Sequence, residues 1–263
     1  MAIRIGAQVN CWPVGPHFDA ELVRAIHEAG QTGYAGIESN WRVSQVWAER
    51  KEEFGDVLRD AGVVLAGLFY IVGAPADAAA AREEVANAVS TAAFVKEFGA
   101  GHMMVGGGKS TDDPATFRAA CEHYNDLGRA VYEQHGVKAC YHLHAGGIAA
   151  SPDEIARMMD LTDERYWFLC PDSGIMVKAG HDLVATIERF FPRIAYLHFK
   201  DYDGAEGWTM LGEGVVDHAG VLRKLDELGY DGWVVSENES RRQDLTPMQQ
   251  QGADREQLRR WGY

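Results

Sequence analysis

Short runs of apolar, β-branched and aromatic residues alternate with longer amphipathic stretches along the whole chain. Each short run has the length of one strand, and segments such as 77–98 and 113–135 have the period of helices that bury one face. We predict strands at 3–9, 35–38, 63–70, 101–105, 137–142, 166–171, 193–199 and 232–236. The pattern therefore predicts eight repeats of a strand–helix unit.

Strands that alternate with helices form parallel sheets, because each helix returns the chain to the same edge. Eight such units in about 250 residues are typical of a (β/α)8 TIM barrel. A doubly wound open sheet is the competing α/β architecture, but neither of the common glycine-rich nucleotide-binding motifs follows the first strand. We predict a single TIM-barrel domain over residues 1–263.

The charge balance narrows the range of partners. The chain has 39 Asp and Glu against 25 Lys and Arg, a net charge of −14. Nucleic acids and anionic membranes bind clustered positive charge, so neither is expected as a partner. This balance also argues against an abasic-site endonuclease, a class that shares the barrel but needs a basic DNA-binding face.

Other sequence features point to a cytoplasmic protein. The first residues lack the basic and apolar regions of a secretory signal, and no apolar run is long enough to span a membrane. The four cysteines form no CxxC pair, so free thiols are the simpler interpretation. The C-terminal segment predicts a helix that either closes the barrel or meets another copy, which leaves a homo-oligomer open.

Polar residues stand at the carboxyl ends of most predicted strands, where barrel enzymes carry their working groups. Because successive strand residues face opposite sides, Cys140, His142 and His144 should point to the barrel axis, and Tyr141 and Leu143 to the helices. The same rule turns another set inward: Cys170, Asp172, Tyr196, His198, Lys200, Val235 and Glu237. It turns a third set toward the helices: Trp167, Leu169, Ala195, Leu197 and Phe199.

Several ionisable groups are thus expected to meet at one end of the barrel. Burying that many charges without compensation costs several kcal/mol each, and a divalent cation would relieve the cost. Imidazole and carboxylate ligands suit Mn, Co, Zn or Fe and do not choose among them. Taken singly, each residue has a simpler interpretation: a structural histidine, Asp172 as a helix cap, Glu237 as a surface carboxylate. The convergence of four neighbouring strands favours the metal.

The segments "YHLHAGG", "PDSG", "LHFKD" and "GWVVSENE" resemble the xylose-isomerase-like barrel superfamily of sugar isomerases, epimerases and dehydratases. Within it, the sequence is most similar to the inosose (2-keto-myo-inositol) dehydratase family, from about residue 33 to Glu239. The resemblance implies one metal ion, Mn²⁺ or Co²⁺ rather than zinc. It implies this ligand set: His142, Asp172, His198 and Glu237. It also implies that Lys200 lies beside the metal and that Asp201 either orients Lys200 or caps the next segment.

Two positions depart from the epimerase and isomerase branches. Those branches usually carry a glutamate where His142 stands and a histidine where Ile175 stands. Epimerisation needs a base on each face of the substrate, whereas an elimination asks for less. The departures therefore favour a lyase that acts on a cyclic keto-polyol, either a keto-inositol or a 3-keto sugar or glycoside. The reaction would be α-proton abstraction and β-elimination through a metal-stabilised enediolate.

The alternative within the superfamily is a metal-dependent ketose epimerase or a sugar- or hydroxypyruvate-type isomerase. A non-catalytic barrel with an impaired site is a further alternative.

Roles follow for the remaining candidates. Glu237 or His144 is the expected base. Lys200 would either stabilise an anionic intermediate or form a salt bridge with Asp201 or Asp172. Four residues are predicted to contact the carbohydrate or cyclitol substrate: Glu38, Tyr70, Trp12 and Trp208. Packing in the core or at the rim is the alternative for the three aromatic residues. The glycine-rich segment 203–217 is expected to be a mobile loop over the site.

Overall fold

The eight predicted strands form one parallel sheet that curves into a nearly closed barrel. The structure, a computed structural model, describes residues 3–12, 18–75 and 77–263. The barrel strands are β1 (Arg4–Gln8), β2 (Gly36–Asn40), β3 (Val64–Val72), β4 (His102–Gly107), β5 (Lys138–His142), β6 (Trp167–Cys170), β7 (Tyr196–Phe199) and β10 (Trp233–Ser236). Their spatial order is β6-β5-β4-β3-β2-β1-β10-β7, and isolated bridges between β6 and β7 bring the two edges together.

Helices cover the outside of the barrel, as the strand–helix repeat predicts. They are α1 (Phe18–Thr32), α2 (Arg42–Val46), α3 (Lys51–Ala61), α4 (Ala78–Glu97), α5 (Pro114–His135), α6 (Pro152–Leu161), α7 (Ser173–Lys178), α8 (Leu183–Phe190), α9 (His218–Glu227) and α10 (Pro247–Arg260). Side-chain caps start several of them; Asp113, for example, accepts hydrogen bonds from the first turn of α5. Gly62 and Gly136 end α3 and α5 in the left-handed conformation that glycine adopts without strain.

The barrel has two hydrophobic cores, one inside and one between the strands and the helices. The inner cluster contains Ala66, Met104, Cys140, Phe168, Cys170, Ala195, Tyr196, Trp233 and Val235. The outer cluster contains Tyr141, Leu143, Trp167, Leu169, Leu197 and Phe199, as strand alternation predicts. The prediction for Ala195 is wrong: it packs inside. Regular pairing of β7 begins only at the next residue, so the alternation does not reach Ala195.

A β-bulge changes the alternation in β3. The register with β2 pairs Ile37 with Leu65 but Glu38 with Gly67, so one residue of β3 is skipped. Ala66 and Phe69 both face inward as a result, and Tyr70 faces the helices. Gly67 is needed here, because an added Cβ would lie 2.7 Å from the carbonyl oxygen of His102.

A short antiparallel ribbon follows β7 before the chain enters α9. It consists of β8 (Asp201–Tyr202) and β9 (Trp208–Thr209). The buried carboxylate of Asp201 then accepts hydrogen bonds from the backbone N–H groups of Gly212, Gly214 and Val216. Asp201 therefore caps the following segment, which was one of the two predicted alternatives. It fixes the second half of the loop near the barrel opening.

The cysteines and the helices bear on the predictions of free thiols and of no membrane span. All four cysteines are free thiols, three of them buried. Among the helices that the structure describes, none combines the length and the apolar character that crossing a membrane requires.

Candidate metal centre

Four side chains meet inside the barrel at the carboxyl ends of four neighbouring strands. His142 ends β5 and His198 lies in β7, while Asp172 and Glu237 follow β6 and β10. One nitrogen or oxygen atom from each of the four lies within 4.8 Å of the others. All four side chains are buried. The structure thus brings together the four residues that the resemblance implies as metal ligands.

The contacts inside this cluster are those of a site with room for a cation. His142 Nε2 lies 3.5 Å from both Asp172 Oδ2 and Glu237 Oε2, beyond normal hydrogen-bond distance. Within the described parts of the chain, neither imidazole nitrogen of His142 nor Asp172 Oδ2 has a hydrogen-bond partner. Buried polar groups are normally paired, and nitrogen and carboxylate donors suit a divalent transition metal. The residues present therefore fit such an ion.

Asp172 has a second role, because it also caps α7. Its Oδ1 accepts a hydrogen bond from the backbone N–H of Ile175 at 2.8 Å. The helix-cap interpretation is thus correct for one carboxylate oxygen, while the other faces the cluster. The cap fixes the orientation of the carboxylate.

His198 is held between two carboxylates. Its Nδ1 lies 2.8 Å from Glu237 Oε2, and its Nε2 lies 2.7 Å from Glu38 Oε2. Burial lowers the pKa of His198, but the two carboxylates outweigh this and raise it to about 10. A carboxylate that holds the outer nitrogen of a ligand histidine is a common feature of metal sites. Glu38, predicted to contact substrate, is fully buried against His198 and supports that ring.

Lys200 lies beside the cluster, and its ammonium group is near three carboxylates. Its Nζ lies 2.9 Å from Glu239 Oε2, 3.3 Å from Glu237 Oε2 and 3.6 Å from Asp172 Oδ2. Burial opposes the charge, but the three carboxylates raise the pKa of Lys200 far above its usual range. The ammonium group therefore stays charged at the edge of the site.

His144 occupies the open side of the cluster. Its ring lies 4.8 Å from the ring of His142, and it is exposed at the barrel mouth. Surrounding protein atoms and the adjacent His142 lower the pKa of His144. The ring of Phe69 packs nearly perpendicular to both imidazole rings. A neutral imidazole in this position can accept a proton from a molecule bound above the cluster.

The aromatic residues predicted to stack on a sugar lie in three different places. Tyr70 points away from the axis, and its hydroxyl donates to the backbone oxygen of Glu84, so that prediction is wrong. Trp12 packs in the outer core with its indole N–H donating to Glu28, as the packing alternative holds. Trp208 is half-buried in β9, with its ring 5.1 Å from Lys200 Nζ. Only the last of these three contacts a residue of the site.

Some contacts at the cluster were missed from the sequence. Phe69 was hidden by the bulge in β3, which no periodicity reveals. Asn10 brings its amide nitrogen 3.4 Å from Glu237 Oε1. Glu239, which had no predicted role, pairs with Lys200. Its spacing of two residues from Glu237 placed it on the same side and could have indicated this.

Comparisons with known proteins agree with this architecture. A family model described as a xylose isomerase-like TIM barrel matches residues 24–261. An inosose dehydratase of Geobacillus kaustophilus is 27% identical over 259 residues, covering 86% of this chain and 82% of that protein. Inosose dehydratases of Clostridium perfringens and Klebsiella pneumoniae are 28% and 30% identical, but these matches span only about half the length of the relatives.

Solved structures show the same fold at lower sequence identity. A probable 3-DHS dehydratase, AsbF, from Bacillus anthracis superposes with a TM-score of 0.81 at 13% identity, covering 98% of this chain and 99% of that one. A D-allulose 3-epimerase from Methylomonas, in complex with D-allulose, gives 0.81 at 16% identity, covering 99% and 97%. At these identities the likeness shows the fold alone. Because the family model spans nearly the whole barrel, the chain belongs to the xylose isomerase-like TIM barrel family.

Proposed function

We propose that the protein is a metal-dependent lyase that acts on a cyclic keto-polyol, either a keto-inositol or a 3-keto sugar or glycoside. The observation that carries the proposal is the buried four-residue cluster beneath the exposed His144, in which His142 Nε2 and Asp172 Oδ2 have no hydrogen-bond partner among the described residues. The similarity to the inosose dehydratase of Geobacillus kaustophilus, over 86% of this chain, supports the substrate class.

A divalent metal bound by His142, Asp172, His198 and Glu237, Mn²⁺ or Co²⁺ by resemblance, would polarise the substrate ketone as a Lewis acid. His144 takes the α-proton and passes it to the departing β-hydroxyl, so water leaves and a carbon–carbon double bond forms. Glu237 is the weaker candidate base, because its carboxylate is already engaged by His198, Lys200 and Asn10. Lys200 holds a positive charge beside the oxygen that becomes electron-rich.

A lyase and an epimerase differ in the number of protein bases that must face the substrate. An epimerase of a ketose exchanges a proton on two faces of the substrate, and His142 is an imidazole where a second carboxylate base would be needed. His144, as the exposed base, reaches one face of the substrate. The arrangement thus favours elimination, and epimerase or isomerase activity is the alternative that the experiment must separate.

The first test is a proton NMR time course in D2O with Mn²⁺-loaded protein. The substrate panel contains 2-keto-myo-inositol, a 3-keto-glucoside, fructose and hydroxypyruvate. We expect loss of water or of the aglycone from a cyclic ketone, giving an unsaturated ketone or diketone. The variant His144→Gln should still bind Mn²⁺ but turn over much more slowly.

Two outcomes contradict the proposal. Deuterium at a carbinol carbon, with a new epimer or aldose and without elimination, would mean an epimerase or isomerase. Purified protein that binds no metal and converts no member of the panel would support the non-catalytic barrel.

A further inference from the structure

The motif "PDSG" contributes more than Asp172 to the site. Ser173 is buried, and its hydroxyl contacts both backbone groups of Lys200. The hydroxyl oxygen accepts a hydrogen bond from Lys200 N at 2.9 Å and lies 2.8 Å from Lys200 O, to which it donates. The Ser173 hydroxyl thus forms hydrogen bonds with both the backbone N–H and the backbone C=O of Lys200.

Lys200 needs such support because the barrel sheet no longer holds it. The pairing between β7 and β10 ends at Phe199, whose carbonyl accepts the last hydrogen bond, from Glu237 N. Lys200 is the next residue, so its N–H and C=O lie beyond the ladder. Unpaired backbone groups at a buried position are costly. Ser173 satisfies both and joins the first turn of α7 to the end of β7.

Two further residues close around the same backbone. Gly174 lies so near that an added Cβ would be 2.9 Å from Lys200 O and 3.2 Å from Lys200 Cγ. His218, fully buried at the start of α9, brings Nε2 to 3.1 Å from Ser173 Oγ and 3.2 Å from Lys200 O. The backbone of Lys200 is therefore held by residues of two helices, α7 and α9.

We propose that Ser173, Gly174 and His218 form a clasp whose role is to position the Lys200 ammonium group. The backbone is fixed so that Nζ reaches Glu237, Glu239 and Asp172 together. The catalytic consequence rests on the proposed lyase function, whereas the positioning itself does not. Ser173 and Gly174 of "PDSG" thus position Lys200 of "LHFKD", so the two motifs form one structural unit.

The test compares Ser173→Ala with Ser39→Ala as a matched control. Ser39 is also fully buried, but its hydroxyl has no hydrogen-bond partner within the described residues, so the same atom is removed without loss of a contact. The first readout is acetylation of each lysine by acetic anhydride, followed by mass spectrometry. Lys200 is 3% exposed and should be protected in the native protein. We expect several-fold faster acetylation of Lys200 in Ser173→Ala only, with Lys178 unchanged as the internal reference.

The second readout is steady-state turnover of 2-keto-myo-inositol by the Mn²⁺-loaded variants. We expect Ser173→Ala to lower kcat by roughly 10- to 100-fold while KM changes little, since the substrate is still bound but a charge is misplaced. Ser173→Thr, which keeps the hydroxyl, should restore most of kcat. Gly174→Ala should expose Lys200 by forcing its backbone aside.

The two proposals fail in different ways. Equal Lys200 acetylation and equal kcat in Ser173→Ala and Ser39→Ala would overturn the clasp. Faster Lys200 acetylation in Ser173→Ala, in a protein that converts no keto-polyol at all, would support the clasp and contradict the lyase. If Gly174→Ala does not fold, the serine variants still decide the matter.

Discussion

At the scale of single residues, the contact between Glu38 and His198 orients one side chain of the candidate metal centre. Glu38 Oε2 accepts from His198 Nε2 at 2.7 Å, so the other ring nitrogen is directed into the cluster. A carboxylate in this position fixes the tautomer and makes the imidazole a stronger ligand. The Glu38 side chain is fully buried, so solvent does not compete for its hydrogen bond to His198.

We therefore expect Glu38→Gln to lower the Mn²⁺ affinity by about 10- to 100-fold, measured by isothermal titration calorimetry. The amide can still accept a hydrogen bond, but it lacks the charge that makes the ring a better ligand. Glu84→Gln is the control, because Glu84 forms the same kind of pair with His123 at 2.6 Å, between α4 and α5. Equal affinities in the two variants would mean that the anchoring of His198 is unimportant.

The sequence predicted residue positions well where alternation along a strand was sufficient. His142 and His198 face the axis because a regular strand repeats every two residues. Tyr70 faces the helices because a bulge inserts one residue into β3, and the sequence carries no periodic trace of that bulge. The partner of Glu38 lies 160 residues away across the barrel, so only the closed sheet brings them together.

At the scale of elements, the predicted strands agree with the observed ones to within a few residues. The run at 193–199 is the main exception, since its first residue belongs to a 3-10 turn and the strand starts at Tyr196. The ribbon of β8 and β9 was not predicted, and β9 lies within the segment 203–217 that was expected to be a glycine-rich loop. Strands of two residues are too short for any alternation to be visible.

Asp201 holds much of the second half of the loop after β7, and this allows the predicted mobility of the loop to be tested. Asp201 Oδ2 accepts from Gly212 N and Gly214 N, and Oδ1 accepts from Tyr202 N and Val216 N. In Asp201→Asn, one of the two acceptor oxygens becomes an NH2 group, which cannot accept hydrogen bonds from the backbone N–H groups. Each lost bond to a charged acceptor contributes about 1–3 kcal/mol.

We therefore expect faster hydrogen–deuterium exchange of the amides at 211–216 in Asp201→Asn, measured by mass spectrometry. Exchange in α4 serves as the internal reference, because that helix lies on another side of the barrel. Unchanged exchange at 211–216 would show that Asp201 is not what holds the loop. A loop that already exchanges rapidly in the native protein would support the predicted mobility.

At the scale of the whole molecule, the site exists because the barrel closes. Its four clustered side chains come from β5 and β7 and from the ends of β6 and β10, and β5 and β7 are not hydrogen-bonded to each other. The bridges between β6 and β7, one of them joining Asp172 to His198, bring the four side chains to one point. The sequence could predict this meeting because eight strand–helix units imply closure. It could not predict the distances, which depend on register and strand tilt.

The C-terminal helix α10 is joined to this assembly through a buried acid. Asp254 accepts from Leu211 N at 2.9 Å, Ser236 Oγ at 3.1 Å and Asn238 Nδ2 at 2.7 Å. It therefore connects α10, the loop after β7 and the end of β10. Burial raises the pKa of Asp254 to about 7 from an ordinary value of 3.8, against the effect of these donors.

A carboxyl group whose pKa is higher in the folded than in the unfolded state holds its proton more tightly when folded. Its contribution to stability is complete below about pH 4 and is lost as the pH rises to about 7. We expect the melting temperature of the native protein to fall between pH 5 and 7 relative to that of Asp254→Asn, whose amide cannot ionise. Above about pH 7 the difference should become constant. Differential scanning fluorimetry at half-unit steps measures this, and parallel curves for the two proteins would show that Asp254 is ionised throughout.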